Sequence, residues 1–551
     1  MKTILNYSLK VLIILLILNF VSKNYYHRFD LTQDKRYSLS KTTNDLLVKI
    51  NKSISIQIYL EGDFPSDFKR LETETHQILK EFKSVNNKII FRFINPLSSK
   101  SLTQKLIKKG LTPSRLTIQE KGSISEKVIF PWALISYNNK EEKVNLLANS
   151  QSATQNQQIK GAISKLEYAF TNALSKITKN KKQSIAVLKG NGELNDIYLN
   201  SFLRSLSGSY NLARFTLDSV ATNPQKTLKE LQQFDLAIIA KPTIAFTEAE
   251  KFTLDQYAMN NGKLMWLIDN VQADLDSLNT QQGEMLAYPR SLNLTDLLFS
   301  YGVRVNYDLV ADLYSAKIRL AAGKIGSKTQ FQNFDWSYYP LITSRNEHLI
   351  TKNTNPVQLK FTTAMDTLKN GISKTVLLRS SLLSKKIGAP RLISLSEINS
   401  KNNSEFKQGS QILGVLLEGR FKSAYKDRVK PFKIKNTKDT SAPNAMLVIS
   451  DGDIIANQVY QNKPIDLNTN YLTGEHFGNK EFLLNTVNYL LNNKGLLKLR
   501  SKSIKLRFLD KTKVIAEAGY WKVLNVLAPL IILLLIGLGF NYYRKYKYTQ
   551  I

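Results

Sequence analysis

The sequence predicts an α/β protein carried between two membrane-spanning helices. Three observations predict it. Apolar stretches lie near each end, at residues 4–21 and 523–540. Between them, short apolar runs alternate with amphipathic helical patterns. The hydrophobic fraction, 43% of 551 residues, is ordinary for a globular chain and excludes both disorder and a polytopic membrane protein. At roughly 100–200 residues per domain, the length suggests about three folded units.

The first stretch, residues 4–21, spans roughly 27 Å as a helix at about 1.5 Å per residue, just enough for a hydrocarbon core. Lys10 interrupts it and would snorkel to an interface. A cleaved signal peptide is the rival reading. Val21, Ser22, Lys23 and Asn24 offer no small-x-small cleavage site, which favours an uncleaved anchor. Tyr25 and Tyr26 suit an interfacial aromatic belt. The second stretch tolerates Pro529 inside it. Tyr520 and Trp521 flank one side; Tyr542, Tyr543, Arg544, Lys545 and Lys547 flank the other. Two spans put both tails on one side of the membrane. The flanks facing the large domain carry more Lys and Arg than the tails do. A simple count would therefore put that domain in the cytoplasm, but long domains translocate largely regardless of charge. Charge alone leaves the orientation open.

Ser40 is placed to cap a helix running through Leu46, Leu47 and Ile50. Ile54, Ile56 and Ile58 alternate with polar residues, as in a half-buried strand. Leu71, Ile78, Leu79 and Phe82 fall on one helical face. A strand over 89–94, a helix over 101–109 and strands over 116–118, 128–137 and 143–147 complete a β-α-β-α-β-β order. This order resembles a thioredoxin-like domain at 31–150, without the cysteines of a redox enzyme. Residues 148–158 read as linker, followed by a helix over 159–177, so that 151–183 separate two folded units. From 184 onward, apolar runs at 185–188, 236–240 and 264–268 are separated by helical patterns at 196–206, 225–232 and 248–259. That alternation predicts a mainly parallel sheet covered on both faces, spanning 184–496. The run 446–449 rejoins the sheet, and 303–443 reads as a β-containing insertion. A helix near 479–491 precedes a basic juxtamembrane segment at 497–522 and the second span with its tail at 523–551. Residues 1–30 form the first anchor.

Lys and Arg number 77 against 44 Asp and Glu, a net charge of +33. Such a field favours anionic partners. The cations are spread along the chain, however, with no zinc-finger spacing and no RNP-type motif, so nucleic acid is not expected. With no cysteine, disulfides, thiolate metal sites and cysteine nucleophiles are excluded.

Ligands of open parallel sheets bind beyond the carboxyl ends of the strands. Those ends carry Gly190, Asn191, Gly192 and Glu193, then Lys241-Pro242, Asp269-Asn270, and Asp451-Gly452-Asp453. Glycines admit close backbone approach, and carboxylates can hold a metal or a sugar hydroxyl. Gly190, Asn191, Gly192, Glu193, Asp269, Asp451 and Asp453 are therefore the candidate ligand crevice. The competing reading, turns and helix caps, is the commoner use of such residues. Other templates fail. Residues 323–329 superficially resemble a P-loop but lack its spacing. There is no G-x-S-x-G and no H-E-x-x-H. His27, His76, His348 and His476 lie far apart. No catalytic residue, metal site or cofactor is expected.

Several pieces together resemble the gliding-motility GldG family of ABC-transporter auxiliary proteins. They are Phe29-Asp30-Leu31-Thr32, Arg36-Tyr37-Ser38-Leu39-Ser40, the 190–193 and 451–453 turns, Leu499-Arg500-Ser501-Lys502 and Leu509-Asp510-Lys511. The third unit also resembles the GIFT domain of intraflagellar-transport proteins, itself similar to glutamine-amidotransferase-like folds whose cysteine nucleophile is missing here. The resemblance implies a bacterial inner-membrane protein with a periplasmic domain. It also implies an ABC permease and a cytoplasmic ABC ATPase as partners, with ATP chemistry belonging to the latter. A non-enzymatic subunit is the leading expectation. A receptor for an envelope polymer or polysaccharide is second, and a metal-dependent hydrolase last.

Overall fold

The computed structural model describes residues 38–62, 64–120, 123–147, 155–179, 182–344, 347–398, 403–491, 494–500 and 517–549. The expected amino-terminal anchor and most of the basic juxtamembrane segment lie outside the described residues. Leu39–Ser152 and Lys165–Lys502 form one compact unit.

That unit begins with α1 (Lys41–Val48), where the Ser40 hydroxyl accepts the Thr43 amide at 3.2 Å, the cap the sequence predicts. Then come β1 (Ile54–Ile58), α2 (Ser66–Val85), β2 (Ile89–Phe93), α3 (Lys100–Lys108), β3 (Ser114–Glu120), β4 (Ser123–Ile129), β5 (Trp132–Tyr137) and β6 (Lys140–Asn145). The sheet order is β2-β1-β5-β6, with β1 parallel to β2 and antiparallel to β5. β3 and β4 pair separately as a hairpin. The strand expected over 128–137 is thus two strands, broken at Phe130-Pro131, because proline cannot donate to a ladder. Asn138 and Asn139 both have positive φ, 47° and 60°, the geometry of a two-residue hairpin turn. Next is α4 (Gln155–Thr178), of which residues 165–178 belong to this unit. Its Glu167 Oε1 accepts the Ser40 amide at 2.7 Å and the Thr43 hydroxyl at 2.8 Å, tying it to the α1 cap.

The larger sheet starts with β7 (Ser184–Lys189), α5 (Asp196–Ser207), β8 (Asn211–Thr216), α6 (Pro224–Leu231), β9 (Leu236–Ala240), α7 (Glu248–Met259) and β10 (Lys263–Leu267). In β7, β9 and β10 the side chains alternate between two cores. Ile185, Val187, Ile238 and Met265 enter one; Ala186, Leu188, Ile239 and Trp266 enter the other. These inner strands are apolar at nearly every position because helices cover both faces.

The chain continues through β11 (Val271–Gln272), β12 (Glu284–Pro289), α8 (Thr295–Tyr301), β13 (Val303–Val305), β14 (Asp308–Asp312), β15 (Ser315–Ile325), β16 (Lys328–Ile342), β17 (Val357–Gln358) and β18 (Met365–Thr367). It then forms β19 (Ser373–Arg379), β20 (Ser384–Gly388), β21 (Arg391–Ser394), β22 (Ile412–Gly419), β23 (Asn444–Ile449), β24 (Val459–Tyr460), β25 (Lys463–Pro464), α9 (Asn479–Leu490) and α10 (Lys494–Arg500). β23 rejoins the sheet beside β10, in parallel, as expected. The sheet runs β13-β18-β22-β23-β10-β9-β7-β8, with β19 also on β22. It is parallel from β8 to β23 and antiparallel beyond. The mainly parallel sheet is therefore a mixed one. Strands from within 303–443, the expected β-containing insertion, extend it.

A second unit contains α11 (Ala518–Tyr548), 31 residues with Pro529 inside and no residue buried. It is long and apolar enough to cross a membrane.

Candidate functional site

β9, β10 and β23 lie side by side and parallel, so their carboxyl ends converge. Lys241 follows β9, Asp269 follows β10 and Asp451 follows β23. Lys241 adopts a left-handed conformation, φ 55°, immediately before Pro242. Its ammonium lies 2.6 Å from Asp453 Oδ2 and 3.5 Å from Asp269 Oδ2. The close approach depends on Gly452, because a Cβ there would sit 2.6 Å from Lys241 Cβ and 2.8 Å from its Cα.

Backbone amides complete the cluster. Asp269 Oδ1 accepts the Gly452 amide at 2.5 Å. Asp451 accepts the Lys360 amide on one oxygen at 2.6 Å and the Asp453 amide on the other at 2.7 Å. Burial raises the Asp269 carboxyl pKa to about 6, the Lys241 charge opposing and the Asp453 charge adding to the rise. Burial, with Asp269 and Asp453 nearby, pushes Asp451 well above the usual carboxylate range. For Lys241, burial acts downward, but Asp269 and Asp453 outweigh it and hold the ammonium above its ordinary value.

Of the expected crevice residues, Asp269, Asp451 and Asp453 are brought together. Gly190, Asn191, Gly192 and Glu193 form a turn of their own. Gly190 and Gly192 have φ of 117° and 73°, the left-handed region that glycine supplies. The Asn191 carbonyl accepts the Thr243 and Ile244 amides, each at 2.9 Å, and its own amide donates to Glu193 Oε2 at 2.9 Å. Burial raises the Glu193 carboxyl pKa, partly offset by backbone hydrogen bonds. These four residues act as a turn against the start of the next segment, the commoner role the sequence allowed them.

Lys241 and Asp453 reach the wall of a cavity of about 570 Å³. One wall is β15, through Lys317 and Arg319; another includes Tyr339, Gln358 and Lys360. The segment around β24 and β25 supplies Tyr460 and Tyr471, whose ring centroids are 4.4 Å apart. Sequence reasoning missed these residues. They come from separated segments, and only the strand-end rule pointed to the region. Among the described residues, no group of three or more His, Asp or Glu side chains is arranged to hold a metal ion. Within the strand-end cluster the Lys241 ammonium occupies the place between carboxylates that a cation would need.

The fold defines a mixed α/β sheet protein whose strand-end carboxylates close on an internal lysine. Residues 182–486 match the family described as "ABC-type uncharacterized transport system", and the chain belongs to that family. Membership makes it an accessory component of ABC transport. Residues 33–136 match a domain of unknown function, DUF7088. The chain is 23% identical to an uncharacterized protein of Borreliella burgdorferi, over 99% of its own length and 98% of the other. A solved structure, "mmIFT52 N-terminal domain", covers 56% of this chain and 98% of its own at 12% identity and a TM-score of 0.32, too low to establish a common fold.

Proposed function

We propose that the protein is a non-enzymatic subunit of an ABC transport complex, anchored in the inner membrane at both ends with its large unit in the periplasm. The observation that carries this reading is α11, an apolar helix with no residue buried, in a chain of the ABC-type transport family. The apolar stretch at 4–21 supplies the second tether. A permease would pack against the two spans, and a cytoplasmic ATPase would supply the nucleotide chemistry. The gliding-motility resemblance, the thioredoxin-like reading of 31–150 and the GIFT-like reading of 184–496 belong to this proposal. The strand-end chemistry supports a non-catalytic role. Asp269 and Asp453 are engaged by Lys241, and both Asp451 oxygens accept backbone amides. Each of these three carboxylates already has a partner within the chain.

The test is purification of the tagged full chain from native membranes, with crosslinking and mass spectrometry, beside a truncation lacking residues 523–551. Recovery of a permease and an ABC ATPase with the full chain, lost on truncation, is expected. Full co-purification of the truncated chain would show that the second span does not hold the complex together. A second reading, a receptor for an envelope polysaccharide, is favoured by the cavity beside Lys241 and Asp453.

A further inference from the structure

We propose that the 570 Å³ cavity beyond the carboxyl ends of β9 and β23 binds a sparsely charged acidic saccharide, carboxylate groups alternating with neutral sugars. The inference rests on the receptor reading and gives that receptor a ligand class. The volume lies within the range of about 300–1,000 Å³ typical of small-ligand sites.

Four independent features point to this chemistry. The first is aromatic. Tyr460 and Tyr471 lie against each other with their ring planes tilted by 31°, yet remain 45% and 47% exposed. An exposed aromatic face at a cavity mouth offers a flat apolar surface matched to the C–H face of a pyranose ring.

The second is cationic. Lys317 and Arg319 lie two residues apart on β15 and are exposed. Arg319 Nη1 donates to the Leu472 carbonyl at 3.1 Å, and Lys360 Nζ lies 5.9 Å over the Tyr339 ring. Neither contact cancels a charge. A guanidinium and two ammonium groups on the walls of one cavity suit a carboxylate.

The third is an uncommitted amide. Gln358 is only 7% exposed and lines the cavity, and its Nε2 has no hydrogen-bond partner among the described residues. A buried amide left unsatisfied is destabilising, and a bound hydroxyl or carbonyl would relieve it.

The fourth limits the charge of the ligand. Asp274 and Asp276 line the same cavity. Ionised carboxylates only accept hydrogen bonds, which suits sugar hydroxyls and repels a dense polyanion. Mixed charge, an unpaired amide and exposed aromatic rings together favour a polyol with isolated acidic groups.

The experiment titrates the detergent-solubilised full chain with a hyaluronan tetrasaccharide, chitotetraose and a heparin tetrasaccharide, by calorimetry. The same preparation is scored for co-purifying permease and ATPase. Hyaluronan is expected to bind at least about tenfold more tightly than the neutral oligomer, and to slow deuterium uptake in 456–473. Arg319→Ala and Tyr460→Ala should each weaken binding about tenfold, the scale of one charge-assisted hydrogen bond or stacking contact. Both side chains are exposed, and an unchanged melting curve confirms folding. Equal affinity for chitotetraose would overturn the acidic assignment. Tightest binding by heparin would overturn the sparse-charge assignment. Binding undiminished in both variants would overturn the cavity as the site. Absence of any saccharide binding while the partners still co-purify would overturn the inference and leave the subunit reading standing.

Discussion

Around Lys241, one ammonium is shared by Asp269 and Asp453 and faces a cavity. Around Asp255, on α7, a single buried carboxylate is enclosed by neutral donors. It accepts from Ser423 Oγ at 2.6 Å, the Ala424 amide at 2.9 Å, Tyr301 Oη at 2.9 Å and Gln256 Nε2 at 3.1 Å. One turn earlier, Lys251 is 1% exposed and pairs with Glu248 at 2.9 Å and Asp296 at 2.7 Å. The Tyr425 hydroxyl donates to Glu248 Oε2 at 2.8 Å, so the segment after β22 is fastened to α7. Hydrogen bonding to Lys251 is the chief cause holding the Glu248 carboxyl down at about 2. The difference is between closing and facing. At α7 the contacts from Ser423, Ala424, Tyr425, Tyr301 and Asp296 join distant parts of the chain to the helix, and the result is a clasp. At the strand ends, acidic groups outnumber the cation they share, so the region's charge state responds to its surroundings.

The largest effect expected from breaking this contrast is at Lys241. Lys241→Met leaves the buried Asp269 and the half-buried Asp453 without their cation, and should cost about 3–5 kcal/mol at neutral pH. The deficit should shrink on acidification. Asp269 has a folded-state pKa of about 6, raised above an unfolded value of about 3.9. The folded state thus holds its proton more tightly. Its stability is greatest below about pH 4 and falls as pH rises through 6. Thermal unfolding of the full chain at pH 4.5 and 7.5 checks the sign; an equal deficit at both values would remove the carboxylates from the explanation. Asp255→Ala comes next, about 2–4 kcal/mol, because it orphans Tyr301 Oη and the Ala424 amide. Unlike the Lys241 change, it should accelerate deuterium uptake in 421–441 and leave the cavity segments alone. The smallest is Thr247→Ala. Thr247 and Glu250 form a reciprocal capping box at the start of α7. Its loss should cost about 1 kcal/mol and raise exchange only in the first turn of the helix.

Much of the framework was legible because its signals are local. The helical pattern at 248–259 coincides with α7, and the apolar run at 236–240 with β9. Ser40 caps the helix it was placed to cap. β8 escaped notice because it is an edge strand with no buried residue. β13, β18 and β19 escaped because they are short or half-polar and gain their place only by pairing with distant segments. At the candidate site, the strand-end rule found Asp269, Asp451 and Asp453, and quoted Lys241 without seeing that it joins them. Arg319, Lys360 and Tyr460 carry no local signal at all.

By itself, then, the sequence determined the alternation of strands and helices, the double-faced burial of the parallel strands and the apolar character of both ends. Each is a matter of residue periodicity or composition within a few turns of chain. Tertiary structure alone decided that β22 and its neighbours join the main sheet, that Lys241 reaches two carboxylates across strand ends, and that segments far apart in sequence enclose one cavity. Those outcomes depend on pairing register and loop closure between residues far apart in sequence, which no local pattern encodes.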